Sequence, residues 1–237
     1  MVWRESMTQN PPIAFGEAHA AAYDEKSAAL APMRDALHLL INAVLADLPA
    51  NARILCVGAG TGQELIYLAQ KFPGWHFAAV EPSAPMLEVC RRKAEAAGIM
   101  GRCEFHQGYL DSLPATGPFD AATSLLVSHF ILTPEARSSF FRSIAERLFA
   151  DGYLITADLA SDTTTAAYES LLKVWFHLMQ KTGLPRDQFE RLRATYQREV
   201  AVLPVEQVSD IISSGGFAAP VQFLQTGLIH AWYARRI

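Results

Sequence analysis

From Arg53 onward the chain alternates short apolar runs with stretches of helical periodicity. The runs lie at 53–57, 75–81, 102–107, 119–126 and 152–158, and helices are expected between them at about 62–72, 83–97 and 134–149. This alternation leaves few architectures open: parallel strands joined by crossover helices that cover both faces of one sheet. The end of the chain changes character. Val205–Ser214 reads as a helix stopped by Gly215-Gly216, and 218–225 and 228–235 are strand-like runs around Thr226-Gly227, the pattern of an antiparallel hairpin at the sheet edge. The expected sheet is therefore mixed, with one reversed strand.

At 237 residues, one domain with embellishments is the expected organisation. The chain divides into a helical lid at 1–50, a core at 51–161, a helical insertion at 162–201 and a C-terminal helix and hairpin at 202–237. Hydrophobic residues make up 51% and charged residues 19%, the balance of a folded rather than a disordered chain. A formal charge of −4 sets up no basic field for a phosphate backbone, so a small-molecule or protein partner is expected in place of nucleic acid. No apolar run approaches the roughly 18 residues of a membrane span, and MVWRESMTQNPP lacks the apolar core of a signal peptide, so a cytoplasmic protein is expected. Cys56, Cys90 and Cys103 form no CxxC pair and have no neighbouring ligand histidines. They read as small buried apolar residues, and no metal site is expected.

Helical patterns flank the alternating core. Glu17–Leu30 reads as a helix stopped at Pro32, and a second helix follows with Met33, Leu37, Leu40, Ile41, Val44 and Leu45 on one face. In the insertion, Tyr168, Leu171, Leu172, Trp175, Phe176 and Met179 recur at the spacing of an amphipathic helix with an aromatic-rich face. A second insertion helix, Arg186–Val200, follows the turn at Gly183-Leu184-Pro185.

The stretch ILCVGAGTGQE carries the chemistry. Strand, glycine loop and helix form the arrangement in which backbone N–H groups at a helix N-terminus face a ligand and side chains must be absent for close approach. A dinucleotide fold asks for GxGxxG, with a small residue where Gln63 stands. The observed spacing, Gly58, Gly60 and Gly62, instead resembles that of class I S-adenosylmethionine-dependent methyltransferases, a resemblance that runs from about Arg53 to the C-terminus. It implies an α/β, Rossmann-like fold: a seven-stranded mixed sheet with helices on both faces and the last strand antiparallel, here with added N-terminal helices and a helical insertion.

The same resemblance implies a set of cofactor contacts. Gly58, Ala59, Gly60 and Gly62 would form the loop that holds the cofactor, and Glu81-Pro82 closes the next strand, nineteen residues past Gly62. A carboxylate at Glu81 can accept hydrogen bonds from two vicinal ribose hydroxyls. Met86 corresponds to an apolar contact to adenine, with packing against the sheet as the other reading. In FHQGYLDSLP, Tyr109 stands where the family commonly places an acid toward the adenine amino group, and the Leu110 N–H can meet a ring nitrogen. The segment Phe119–His129 matches the fourth strand, whose backbone at Ser124 and Leu125 would meet the methionine part. RLFADGYLIT resembles the turn into strand five, and GLIHAWYARR the last strand. The plainest departure is Cys56, two residues before the first glycine, where the family usually carries an acid. Glu64 is the candidate substitute, its other reading being a favourable charge in the first turn of a helix.

Methyl transfer is an in-line displacement at carbon with a sulfonium leaving group, so positioning supplies most of the help. For a hydroxyl acceptor His129, just past the fourth strand, is the candidate base. Acceptor choice is assigned to an aromatic cover made of Phe15, His19 and Tyr23 in the N-terminal segment and Tyr168, Trp175 and Phe176 in the insertion, residues that could equally be core or homodimer contacts. Arg186, Arg191, Arg193 and Arg198, interleaved with Asp187, Glu190 and Glu199, read as a solvated face. The expected activity is methyl transfer from S-adenosyl-L-methionine to a small molecule, with S-adenosyl-L-homocysteine as product. The alternatives are an enzyme that modifies the cofactor itself, as a tRNA-modification relative with a similar N-terminal helical extension does, and a non-catalytic cofactor-binding protein.

Overall fold

The computed structural model describes residues 28–237 together with Tyr23 and Asp24. Seven strands form one sheet: β1 (Arg53–Val57), β2 (His76–Glu81), β3 (Cys103–Gln107), β4 (Phe119–Leu125), β5 (Leu148–Leu159), β6 (Val221–Thr226) and β7 (Ile229–Arg235). Their order is β3-β2-β1-β4-β5-β7-β6, with β7 antiparallel to both neighbours and every other pairing parallel. The expected mixed sheet with one reversed strand is thus what forms, and the hairpin tucks β7 inside and leaves β6 at the edge.

The helices are α1 (Ala31–Val44), α2 (Gln63–Lys71), α3 (Ala84–Ala96), α4 (Pro134–Ala145), α5 (Ala166–Lys181), α6 (Phe189–Glu199) and α7 (Val205–Ser214). One buried cluster unites Leu37 and Ile41 of α1, Leu65 and Leu68 of α2 and Leu87 and Cys90 of α3 with Ile54, Cys56 and Phe77 of the sheet. The opposite face buries Phe140, Phe141 and Ile144 of α4 and Val208, Ile211 and Ile212 of α7 against Leu55, Val57, Leu154 and Trp232. Alternate residues of β1 face opposite clusters, so both faces are covered and the strand is apolar from Ile54 to Val57, as a doubly wound sheet requires.

Four boundaries differ by three or more residues from the sequence reading. The helix expected to reach 149 ends at Ala145, because Leu148 already pairs with Phe119 and β5 begins there rather than at 152. A register shift between Phe119 and Ala121 accommodates the extra residues, with Asp151 at φ +61, a conformation that aspartate tolerates better than most residues. The second insertion helix starts at Phe189 instead of 186, since Pro185 to Gln188 forms a turn closed by the Gln188 N–H on the Pro185 carbonyl (3.2 Å). β6 begins at 221, three residues later than the apolar run suggested.

The strand order fixes where a ligand can go. Chain leaving β1 turns toward β2, and chain leaving β4 turns toward β5, so a crevice opens beyond the carboxyl ends of β1 and β4, at the topological switch point. The glycine loop sits there.

Candidate cofactor site at the sheet switch point

After Val57 the loop is bound onto β2: the N–H groups of Gly58 and Ala59 both donate to the Val80 carbonyl (2.8 and 3.1 Å). Gly58, Gly60 and Gly62 all adopt left-handed backbone, with φ of +72°, +54° and +76°. Two of them are also demanded by neighbours. A Cβ on Gly58 would lie 2.4 Å from Val127 Cγ2, and one on Gly62 would lie 2.3 Å from Cys90 Sγ. At Gly60 the nearest group is the Met86 methyl, at ordinary contact distance. Replacing Gly62 by Ala is therefore expected to destabilise the fold by about 1–3 kcal/mol, from the positive φ and the displaced thiol together. Thermal unfolding of Gly62→Ala alone and with Cys90→Ala checks this; the double variant should recover the part owed to the thiol and retain the part owed to φ.

Glu81 ends β2 with its carboxylate buried under the loop. Its Oε2 accepts from the Gly60 N–H and its Oε1 from the Ser83 N–H, each at 2.9 Å. Burial raises its pKa, while those two N–H groups pull the other way. Ser83 caps α3, its Oγ accepting from the Met86 N–H (3.3 Å), which sets the buried Met86 side chain against the loop.

Glu64 lies in the first turn of α2 and is 9% exposed. Burial pushes its pKa up to about 7; the N–H groups of Glu64 and Leu65 and the Thr123 hydroxyl oppose the shift, and the charge of Glu81 adds to it. The Thr123 Oγ1 is 3.5 Å from Glu64 Oε1, and Thr123 pairs with Cys56 across β1 and β4. The position where the family's acid is missing and the candidate substitute thus occupy one buried cluster, in which burial drives the Cys56 thiol well above its usual range and Glu64 raises it further. Among the described residues, the hydrogen-bond partners of Glu64 and Glu81 are backbone N–H groups and one hydroxyl, none of them charged.

The N-terminal segment reaches this site. Asp24 Oδ1 accepts from Thr61 Oγ1 (2.8 Å) and Gln63 Nε2 (2.6 Å), and Oδ2 pairs with Lys93 of α3. Gly62 at the N-cap of α2 offers no side chain, so Asp24 brings a carboxylate to a helix N-terminus from far along the chain. Arg34 Nη1 donates to Gln63 Oε1 (2.6 Å), which ties α1 to the same corner. Beside Asp24, burial raises the Tyr23 phenol pKa, and the charges of Asp24, Glu64 and Glu81 raise it further, which places Tyr23 among these carboxylates. Phe15 and His19, assigned with Tyr23 to the cover, lie outside the described residues.

On the far side of the crevice β4 ends in Leu125, followed by Leu126 at φ +59, a left-handed residue held by its N–H on the Ala157 carbonyl (2.6 Å). Ser124 is fully buried, and its carbonyl accepts from Thr156 Oγ1 (3.0 Å). Leu110 is buried, whereas Tyr109 is 43% exposed at the rim and Pro82 is exposed. The Tyr109 carbonyl accepts from Ser112 Oγ (2.7 Å).

His129 sits in the turn Ser128–Phe130 and is 3% exposed. Its ring Nδ1 is 3.1 Å from Asp158 Oδ1, which also accepts the His129 backbone N–H (2.9 Å). The Leu159 N–H also points at Nδ1 (3.4 Å), but the shorter contact to a carboxylate favours the proton on Nδ1, which leaves the Nε2 lone pair as the basic site. Asp158 Oδ2 accepts from Ser128 Oγ (2.7 Å) and forms an ion pair with Arg137 Nη2 at 3.0 Å. Burial opposes the Asp158 charge, but Arg137 and the His129 and Ser128 hydrogen bonds outweigh it and hold the pKa low. Arg137 Nε in turn donates to Ser128 Oγ (2.7 Å). Asp158 and Arg137 escaped the sequence reading; the one local signal was an acid near the end of a mostly apolar run, in ITADLA.

The aromatic insertion face is buried. Tyr168, Leu172 and Trp175 join the cluster of α1, α2 and β7, the Trp175 Nε1–H donates to the Tyr196 hydroxyl (2.5 Å), and Phe176 meets Phe189 edge-on with centroids 5.1 Å apart. Arg193, on the expected solvated face, forms a two-pronged pair with Glu169 (2.6 and 2.7 Å) that ties α6 to α5. A cavity of about 80 Å³ lined by Arg53, His76, Arg102 and Phe119 lies at the opposite ends of the strands, away from these groups.

A family model described as a methyltransferase domain matches residues 54–152, the span from β1 through the glycine loop to the start of β5. Over this span the chain is a methyltransferase domain. Relatives extend the likeness beyond that domain. The carboxy-S-adenosyl-L-methionine synthase of Campylobacter hominis is 25% identical over 206 residues, 86% of either chain. The demethylmenaquinone methyltransferase of Thermus thermophilus is 27% identical over 76% of this chain and 80% of its own. Among solved structures, an O-methyltransferase family protein from Burkholderia thailandensis shares the fold at a TM-score of 0.60 and 15% identity, covering 98% of this chain and 66% of its own. This chain spans about half to two thirds of the length of the solved proteins it matches. No helix among the described residues is long and apolar enough to cross a membrane.

Proposed function

We propose that the protein transfers the methyl group of S-adenosyl-L-methionine to a small-molecule acceptor. The observation that carries this reading is the pair of buried carboxylates, Glu64 and Glu81, on either side of a left-handed glycine loop and hydrogen-bonded to neutral groups. Two acids buried together cost free energy unless a cation joins them. A ligand bearing a sulfonium and an ammonium group suits such a pocket.

The residues fit the cofactor's parts. Each oxygen of Glu81 already accepts one N–H and keeps lone pairs for a vicinal diol. Met86 offers an apolar surface beside Gly60 for a base, and the Leu110 backbone lies at the end of the adjoining strand. Glu64 stands in for the missing acid at Cys56. Bound S-adenosylmethionine supplies an electrophilic methyl carbon on a sulfonium leaving group. The protein positions the acceptor and excludes water, with Tyr23 as a covering residue, and His129 Nε2 takes the proton of a hydroxyl acceptor. Calorimetric titration with S-adenosylmethionine, S-adenosylhomocysteine and NAD tests the cofactor; failure of both sulfur compounds to bind would end this reading.

Once a hydroxyl acceptor has been found by screening, His129→Gln is expected to lower kcat by about 10²–10⁴ with little change in cofactor Kd. An unchanged kcat across pH would assign His129 to structure alone. A second reading, modification of the cofactor itself, is favoured by the match to the carboxy-S-adenosyl-L-methionine synthase over 86% of either chain. Mass analysis separates the two: a methylated acceptor with S-adenosylhomocysteine in one case, a heavier carboxylated cofactor in the other.

A further inference from the structure

The carboxylate nearest the missing acid of β1 comes from a different element and in a different state. Glu64 is carried by α2, folds back on the N–H groups of its own first turn, and lies with Thr123 and Cys56 beneath the loop. Among the described residues, the titratable groups around it are Glu81 from β2, Cys56 from β1, Cys90 from α3 and Tyr23 from the N-terminal segment. All of them are acids and none can supply a positive charge; the thiols and the phenol stay neutral in this pH range, and the charge of Glu81 makes ionisation of Glu64 harder. The hydroxyl of Thr123 and the two N–H groups are the features that favour the anion. A carboxyl so placed holds its proton until a positive charge arrives.

The two forms of the cofactor differ in that charge. The methyl donor carries a sulfonium and an ammonium; the product, a thioether, keeps only the ammonium. We propose that Glu64 selects the charged cofactor over its product by releasing a proton to solvent when the sulfonium binds and taking one back after methyl transfer, so that product release is coupled to protonation of a buried carboxyl. The inference rests on the reading of this crevice as the S-adenosylmethionine site and adds to it the residue that tells donor from product. The proton balance closes: one proton leaves the carboxyl on donor binding, and one returns from solvent once the sulfonium has become a neutral thioether.

The test is calorimetry on the full chain with S-adenosylmethionine and S-adenosylhomocysteine, between pH 5.5 and 7, in buffers of different ionisation enthalpy. For the donor, Kd is expected to weaken about tenfold from pH 7 to 5.5 with release of up to about one proton per site, while the product's Kd changes less than about threefold. Glu64→Gln should remove that difference and narrow the donor-to-product affinity ratio. Its melting temperature should exceed that of the unsubstituted protein at pH 8 and match it near pH 5: the raised native pKa means that ionising Glu64 destabilises the native state, a cost that grows as pH rises from the usual 4.5 to about 7. Equal pH slopes and equal proton counts for the two ligands would overturn the inference while leaving the cofactor reading intact. So would a Glu64→Gln protein that keeps the original difference. Binding of neither compound at pH 7 would overturn the cofactor reading and this inference with it. Should the variant fail to fold, the slopes of the unsubstituted protein decide alone.

Discussion

Asp158→Ala should lower stability by about 3–5 kcal/mol, because it leaves the guanidinium of Arg137 buried without its counter-charge. Both side chains are completely buried. Asp158 accepts from the backbone and ring of His129 and from Ser128, while Arg137 also reaches the Ala201 carbonyl (3.3 Å) just ahead of α7. One carboxylate therefore holds together β5, the turn after β4, α4 and the approach to α7. For a chain of this length the loss corresponds to a fall in Tm of about 10 °C. Replacing both members, as in Asp158→Leu with Arg137→Met, should recover more than half of that loss, since the penalty lies mainly in the orphaned charge. Chemical denaturation of the two single variants and the double closes the cycle; strictly additive losses would refute the pair as a unit. The pH dependence has a definite sign. The native pKa of Asp158 is held below its usual 3.8, so its stabilisation is complete above that pH and is lost as the pH falls through the native value.

Glu81→Ala is expected to weaken S-adenosylmethionine binding by about 100-fold or more while leaving the sheet intact. Two effects combine. The N–H groups of Gly60 and Ser83 lose their acceptor, which loosens the loop, and two charge-assisted hydrogen bonds to a ribose diol disappear, each contributing about 1.5–3 kcal/mol. Glu81→Gln retains one oxygen but turns an amide N–H₂ toward one of the two backbone donors, so its Kd should fall between those of Ala and Glu. Titration calorimetry with melting temperature as the control for folding measures this. A Kd within threefold of the unsubstituted protein would place the ribose elsewhere.

Much of this architecture was legible because it is written in local patterns. β1 and α7 occupy the residues that periodicity alone assigns, 53–57 and 205–214, since an apolar run buried on both faces and a capless amphipathic helix ended by two glycines have no competing local solution. The glycine spacing and the nineteen residues to Glu81 placed the loop and its acid on neighbouring strands, and the structure joins them by a hydrogen bond. Boundaries failed where tertiary pairing overrode propensity: Leu148 leaves a helical pattern to pair with Phe119. The aromatic stripe of α5 was visible, but its use was not, because the same spacing serves a ligand pocket and a core. In the fold it packs against α1, α6 and the sheet.

The sequence by itself determined the doubly wound sheet, the reversed last strand and the methyltransferase loop, because each depends on residues a few positions apart. Only the tertiary structure decided which side chains complete the site. Asp24 meets Thr61, Gln63 and Lys93, Arg137 meets Asp158, and Glu64 comes to lie beside Cys56 and Thr123. Those partners are brought together by strand order and helix packing, and their chemistry follows from burial: the same glutamate that would be an ordinary helix-start charge in water becomes, beneath the loop and next to Glu81, an acid that waits for a cation.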